Sequence, residues 1–164
     1  MIDILREYIK YDPYDGSFVW IKNTSACNIV GRKAGSIERK ANGVSYIRIS
    51  VLRKRISGGM AAWMMFYGKE PSKIIDHIDG NGLNNSISNL READIHQNGF
   101  NRKANRGKIC KLKGVSRLKC GKFTSQITIN QKAEYLGIYN TEAEAHGAYK
   151  KRAKELFGDY ARFQ

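Results

Sequence analysis

From Ile95 to Ala133 the chain has no acidic residue, yet it carries Arg102, Lys103, Arg106, Lys108, Lys111, Lys113, Arg117, Lys119, Lys122 and Lys132. No carboxylate in this stretch neutralises that charge, so the stretch is expected to track phosphates along a polyanion. The formal charge of the whole chain, +14, has the same implication. Clustered Lys and Arg gain affinity by releasing counterions condensed on phosphates, which makes nucleic acid the first expected partner. Around Gly107 the sequence loses periodicity, and a linker is expected at 107–111. With 164 residues and 41% hydrophobic content, two small domains are affordable in core terms, one over 1–106 and one over 112–164.

Several classes are set aside by composition. The longest apolar run, Met60 to Tyr67, is far short of the ~20 residues that a membrane-spanning helix needs. Met1 to Lys10 mixes Asp3, Arg6 and Glu7 with its apolar residues, unlike a secretory signal, so a cytoplasmic protein is expected. Cys27, Cys110 and Cys120 are odd in number and lack Cys-x-x-Cys spacing. Free thiols are expected, with neither a disulfide framework nor a structural zinc site.

The first seventy or so residues read mostly as strands and turns. Asp15-Gly16 is a turn signal before Phe18-Val19-Trp20-Ile21, and Ile47, Ile49 and Val51 alternate with Arg48 and Ser50 as in a half-buried strand. Met60 to Tyr67 is apolar on every side and ends at Gly68, which predicts a short buried helix. Ile74 to Gly80 reads as a strand entering a turn, and Leu90 to Ala93 as a second strand. Asp94-x-x-Gln97 matches the capping box that opens a helix. Beyond the linker, Val115 to Lys119, Phe123 to Ile129 and Tyr135 to Ile138 suit an antiparallel meander. Thr141-x-x-Glu144 then caps a helix carrying Ala145, Ala148, Tyr149, Arg152, Ala153 and Leu156.

Hydrolysis of a phosphodiester needs a base to activate water and a cation to stabilise charge on phosphate and leaving oxygen. Asp76, His77, Asn89 and Asn98 can supply both functions. His77 is the candidate base and Asn89 the carbonyl that orients its ring. Asp76 and Asn98 offer oxygen, which hard cations such as magnesium prefer. His96 and His146 gain no such support; His146 reads as an exposed helical residue. Adjacent strand residues point to opposite faces, so the strand is expected to end or twist at Asp76-His77.

Asp76-His77-Ile78-Asp79-Gly80-Asn81, Asn84-Asn85, Asn89-Leu90-Arg91 and Gln97-Asn98 through Asn101 resemble the HNH endonucleases of phages and mobile introns. The resemblance implies a ββα-metal core over about 72–104, with His77 as general base and Asn89 orienting it. It also implies one divalent metal on Asp76 and Asn98, magnesium or manganese rather than zinc. Where these nucleases often carry His-Arg before the apolar helix, this chain has Gly59-Met60.

Lys113-Gly114-Val115-Ser116, Gly121-Lys122-Phe123, Tyr135-Leu136-Gly137-Ile138-Tyr139, Thr141 to Ala145 and Ala148-Tyr149 resemble the plant ethylene-response-factor DNA-binding domain. That resemblance implies a three-stranded sheet that enters the major groove, backed by one helix. Phe123, Ser125, Ile127 and Ile129 then face the helix, leaving Lys122, Thr124, Gln126 and Thr128 toward DNA. Lys113, Ser116, Lys119 and Tyr135 are further candidate contacts, together with Arg102, Lys103 and Arg106 before the linker.

The expectation is thus an α+β protein that cuts duplex DNA with a metal ion, working as a monomer that nicks one strand. A homing role follows from the family resemblance alone. The alternative is a regulator that binds DNA without cutting it and keeps the nuclease fold as a scaffold.

Overall fold

The computed structural model describes residues 1–24, 28–41, 43–94, 110, 112–129, 132–161 and 163. The chain divides into two units, Met1–Ile95 and His96–Gln164. It is a mixed α/β protein, with several small antiparallel sheets and three α-helices among the described residues. No helix among them is long and apolar enough to cross a membrane.

The first unit opens with a helix, α1 (Ile2–Tyr8), where strands and turns were expected. At seven residues it is too short to persist alone, because isolated helices below ~12–15 residues are marginal in water. Packing holds it, with Leu5 fully buried in the core beside Met64 of the later helix. The chain continues into β1 (Ile9–Tyr11), which pairs with β2 (Phe18–Trp20) around the expected Asp15-Gly16 turn. Next come β3 (Ser36–Arg39), β4 (Ser45–Val51) and β5 (Lys54–Ser57), an antiparallel sheet with β4 in the middle. The alternation read from the sequence holds on β4: Ile49 and Val51 are buried and Ser50 is exposed.

α2 (Gly58–Tyr67) follows β5 directly and stops at Gly68, which takes the left-handed conformation of a helix terminator. It is not buried all round. Ala61, Ala62 and Met64 enter the core with Ile49, Val51 and Ile56, while Met60, Phe66 and Tyr67 stay exposed. β6 (Ile74–His77) and β7 (Leu90–Ala93) then form a two-stranded antiparallel sheet, with Asp76 opposite Arg91 and His77 opposite Leu90. The helix expected from Asp94 lies outside the described residues, as do Cys27 and most of the 107–111 linker.

In the second unit β8 (Val115–Arg117), β9 (Phe123–Ile129) and β10 (Lys132–Tyr139) form an antiparallel sheet with β9 central. α3 (Glu142–Phe157) packs on one side of it. The capping box is present: Thr141 Oγ1 accepts from the Glu144 amide, and the Glu144 carboxylate accepts from the Thr141 amide, both at 3.2 Å. Ala145, Tyr149 and Ala153 bury against Val115 and Ile127. His146 is buried as well, correcting the exposed position expected for it. Its Nδ1 lies 3.0 Å from the Lys113 carbonyl and its ring stacks on Tyr149. Tyr149 itself has its hydroxyl pKa pushed up to about 12 by burial.

Candidate active site

His77 is the last residue of β6, and the strand ends there as expected. The Gly80 amide donates back to the His77 carbonyl at 2.8 Å, closing a turn. Asp76 and His77 are both buried, at 6% and 8% exposure. As alternation on a strand requires, their partners differ. Arg91, opposite Asp76 on β7, donates from Nε and approaches with Nη2, both 3.0 Å from Asp76 Oδ2. His77 Nε2 instead lies 3.1 Å from Oδ1 of Asn85.

Sequence reasoning assigned the orienting carboxamide to Asn89. The structure brings Asn85 to His77 Nε2 and uses the Asn89 side chain in the β6–β7 loop. Asn89 Oδ1 accepts from the Asp79 amide at 3.0 Å, while its Nδ2 donates to Asp79 Oδ1 at 3.0 Å and to the Asn84 carbonyl at 2.8 Å. The Asn89 carbonyl also accepts from the Ile78 amide, one residue beyond His77, at 2.9 Å. Asp79 gathers this loop, accepting further from the Asn81 amide at 2.7 Å and Asn84 Nδ2 at 2.9 Å. Burial pushes the Asp79 carboxyl pKa up, but those three donors and nearby His77 outweigh it, leaving the group below the ordinary carboxylate range.

Asn85 is fully buried and held from three directions. Its Nδ2 donates to the Leu83 carbonyl at 3.4 Å, which fixes the amide so that oxygen faces His77. Its own carbonyl accepts from the Tyr11 hydroxyl at 2.7 Å, and burial, then Asp12 and Asp15, raise that hydroxyl's pKa. The β1–β2 turn sits against its backbone. Gly16 has φ +75, and a Cβ there would lie 2.3 Å from the Ser86 nitrogen and 2.4 Å from the Asn85 carbonyl carbon. Only glycine permits that approach.

The N-terminus of α2 closes the site from another side. A Cβ on Gly59 would meet His77 Cε1 at 3.2 Å, and one on Gly58 would meet Asn85 Nδ2 and Ile47 Cβ at 2.9 Å. The departure from His-Arg noted at Gly59-Met60 therefore falls directly beside the imidazole. Tyr46 of β4 completes the surround, its ring centroid 6.1 Å from that of His77.

Asn98, Arg102, Lys103 and Arg106 lie outside the described residues. Among the described residues no group of three or more His, Cys, Asp or Glu is placed to hold a metal. Magnesium does not need one, since it commonly takes one or two carboxylates and fills its shell with water and substrate phosphate oxygens. The buried Asp76 carboxylate is a donor of that kind.

In the second unit the outward face of the sheet carries the expected row. Ser116 pairs with Thr124, Tyr135 with Gln126 and Ala133 with Thr128, so these residues share the side away from α3. Gln126, Thr128 and Tyr135 are exposed, Tyr135 at 62%. Lys119 and Lys122 flank the turn before β9 and are exposed too, whereas Lys113, Ser116 and Thr124 are half-buried.

Comparison with known proteins places a family match on the same stretch of sequence. The HNH endonuclease family matches residues 60–99, a span holding most of α2, both strands β6 and β7, and the loop between them. An uncharacterized HNH endonuclease of Acanthamoeba polyphaga mimivirus is 37% identical over 99 residues, covering 60% of this chain and 51% of the viral protein. This chain thus spans about half the length of that relative. Protein 3.8 of Escherichia phage T7 is 31% identical over 102 residues, covering 55% of this chain and 74% of the phage protein. No solved structure matches. With the buried Asp76-His77 pair on β6 inside the matched segment, the chain belongs to the HNH endonuclease family.

Proposed function

We propose that the chain is a metal-dependent endonuclease that hydrolyses phosphodiester bonds in duplex DNA, with His77 as general base. The observation that carries this reading is the His77–Asn85 contact inside the family-matched segment. An oxygen facing Nε2 requires hydrogen on that nitrogen, so the neutral ring carries its lone pair on Nδ1. Nδ1 is then the atom that takes the proton from water. Asn85 sets the tautomer, while Asn89 holds the loop that keeps both residues in place.

Asp76, with Asn98, would hold one divalent cation, magnesium or manganese. Bound there, it supplies charge stabilisation to the phosphate and the departing 3′ oxygen. Arg91 pairs with the Asp76 carboxylate and fixes its orientation, since a buried carboxylate without a partner is costly. The second unit is read as a DNA-binding module similar to the plant ethylene-response-factor domain. Supporting this is the outward row Thr124, Gln126 and Thr128, with Ser116 and Tyr135 beside it. Gln can pair with adenine, and the flanking Lys119 and Lys122 can reach phosphate.

Purified protein incubated with supercoiled plasmid and magnesium is expected to produce nicked circles, and His77→Ala is expected to lose that product. Equal cleavage by the variant would remove His77 as the base. Tight duplex binding with no cleavage by the wild type would leave the regulator reading in its place.

A further inference from the structure

We infer that the outward face of β4 and β5, with the turn that joins them, docks the phosphate backbone of duplex DNA beside the His77 site. The inference rests on reading that site as one that cuts DNA. On β4 the residues opposite in phase to the core-facing Ile47, Ile49 and Val51 are Tyr46, Arg48 and Ser50. Tyr46 is the one next to His77. The β6–β7 loop covers that end of the face, for a Cβ on Gly82 would lie 2.3 Å from the Tyr46 ring. The face therefore starts at the candidate active site and runs away from it along β4.

Its charge is strongly one-signed. Glu38 is the acidic residue on this face of the sheet, and Arg48 Nε and Nη2 both lie 2.6 Å from its Oε2. Lys40 is 3.8 Å from the same carboxylate, and the charge of Arg55 also acts on it. Ser50 stands opposite Arg55, both exposed, and Arg53 and Lys54 follow at the tip. Arg53, Lys54 and Arg55 have no carboxylate within ion-pair distance among the described residues.

The tip supplies an independent observation. Leu52 and Arg53 have φ 47 and φ 64, the pattern of a two-residue hairpin turn that Asn-Gly adopts without strain. Side-chain-bearing residues are strained in the left-handed region, where Cβ crowds the backbone. A turn needed only to reverse the chain has no use for them. Here they present an arginine and an exposed leucine at the end of a basic ribbon, and a two-stranded ribbon fits the major groove.

The test measures duplex binding by the full chain by fluorescence anisotropy across a salt series. Arg53→Gln with Arg55→Gln is expected to raise Kd on the order of tenfold and to lower the slope of log K against log salt by about 1.8, at 0.9 per phosphate. A charge-matched control at exposed positions elsewhere in the unit, Lys10→Gln with Lys69→Gln, is expected to leave the slope unchanged. A second variant, Leu52→Asn with Arg53→Gly, is expected to raise Tm by a few degrees while weakening binding, a split that a purely structural turn would not show.

The inference is overturned by unchanged Kd and slope in the arginine variant, or by an equal loss in the control. It is also overturned if the turn variant gains stability and keeps wild-type affinity, or if the loss appears with single-stranded RNA and not with duplex DNA. If His77-dependent cleavage persists while both surface variants bind as wild type, docking fails and the cutting assignment stands. If the wild type cuts nothing but the variants lose duplex binding, the cutting assignment fails and the docking surface stands.

Discussion

Asn85 shows how much a single buried amide can decide. It touches His77 with its oxygen, Leu83 with its nitrogen and Tyr11 through its backbone. Truncating it leaves buried polar atoms without partners, a loss of about 1–3 kcal/mol. Asn85→Ala is therefore expected to lower the free energy of unfolding by that amount, measured by denaturant titration. It should also lower kcat on the order of 10- to 100-fold with KM little changed, because the imidazole loses the contact that sets its tautomer. An unchanged kcat in a folded variant would show that the ring is positioned without it. His77 and Asp76 were legible in the sequence because Asp-His-x-Asp-Gly-Asn is a distinctive run. Asn85 was not, for Asn84-Asn85 reads as an ordinary turn pair. Its partnership with a residue eight positions earlier exists only once the loop has closed.

The loop between β6 and β7 is a polar element with little apolar burial of its own, held shut by Asp79. Four hydrogen bonds link that residue to Asn81, Asn84 and Asn89, and its depressed pKa gives the loop a pH dependence of known sign. A carboxylate whose folded pKa lies below the unfolded value of about 3.9 contributes stability that is fully present above that value. The contribution is lost as pH falls through the folded pKa. The protection factors of the Asn81 and Ile78 amides, exchange rates taken relative to the intrinsic rate at each pH, are therefore expected to fall below pH 4. In Asp79→Asn, exchange should already be faster at neutral pH, with the difference from wild type vanishing at the acid end. At this scale β4, α2, β6, β7, β9 and α3 were readable from period and punctuation. α1, β3 and β5 were not. α1 is a single buried leucine's worth of helix fixed by packing. β3 is an edge strand whose Ile37 is exposed, so burial leaves no alternation to read.

Charge is distributed unevenly over the whole chain. His96–Gln164 holds fifteen Lys and Arg against five Asp and Glu, so +10 of the total +14 falls in the second unit. Phosphate contacts fix register without carrying sequence information, whereas base-edge contacts specify it. On the β8–β10 sheet the two proposed roles are separable, because Lys119 and Lys122 flank the turn before β9 while Thr124, Gln126 and Thr128 lie along that strand. Lys119→Gln with Lys122→Gln is expected to weaken binding to every duplex alike and to lower the salt slope by about 1.8. Gln126→Ala should leave the slope intact and instead redistribute binding among sequences, since one paired contact to adenine is worth about 1–3 kcal/mol of discrimination. Anisotropy titrations on a small duplex library at several salt concentrations resolve both effects in one experiment. If the lysine variant shifts sequence preference and the glutamine variant shifts only the slope, the outward row is not the reading face, and the second unit holds DNA by another surface.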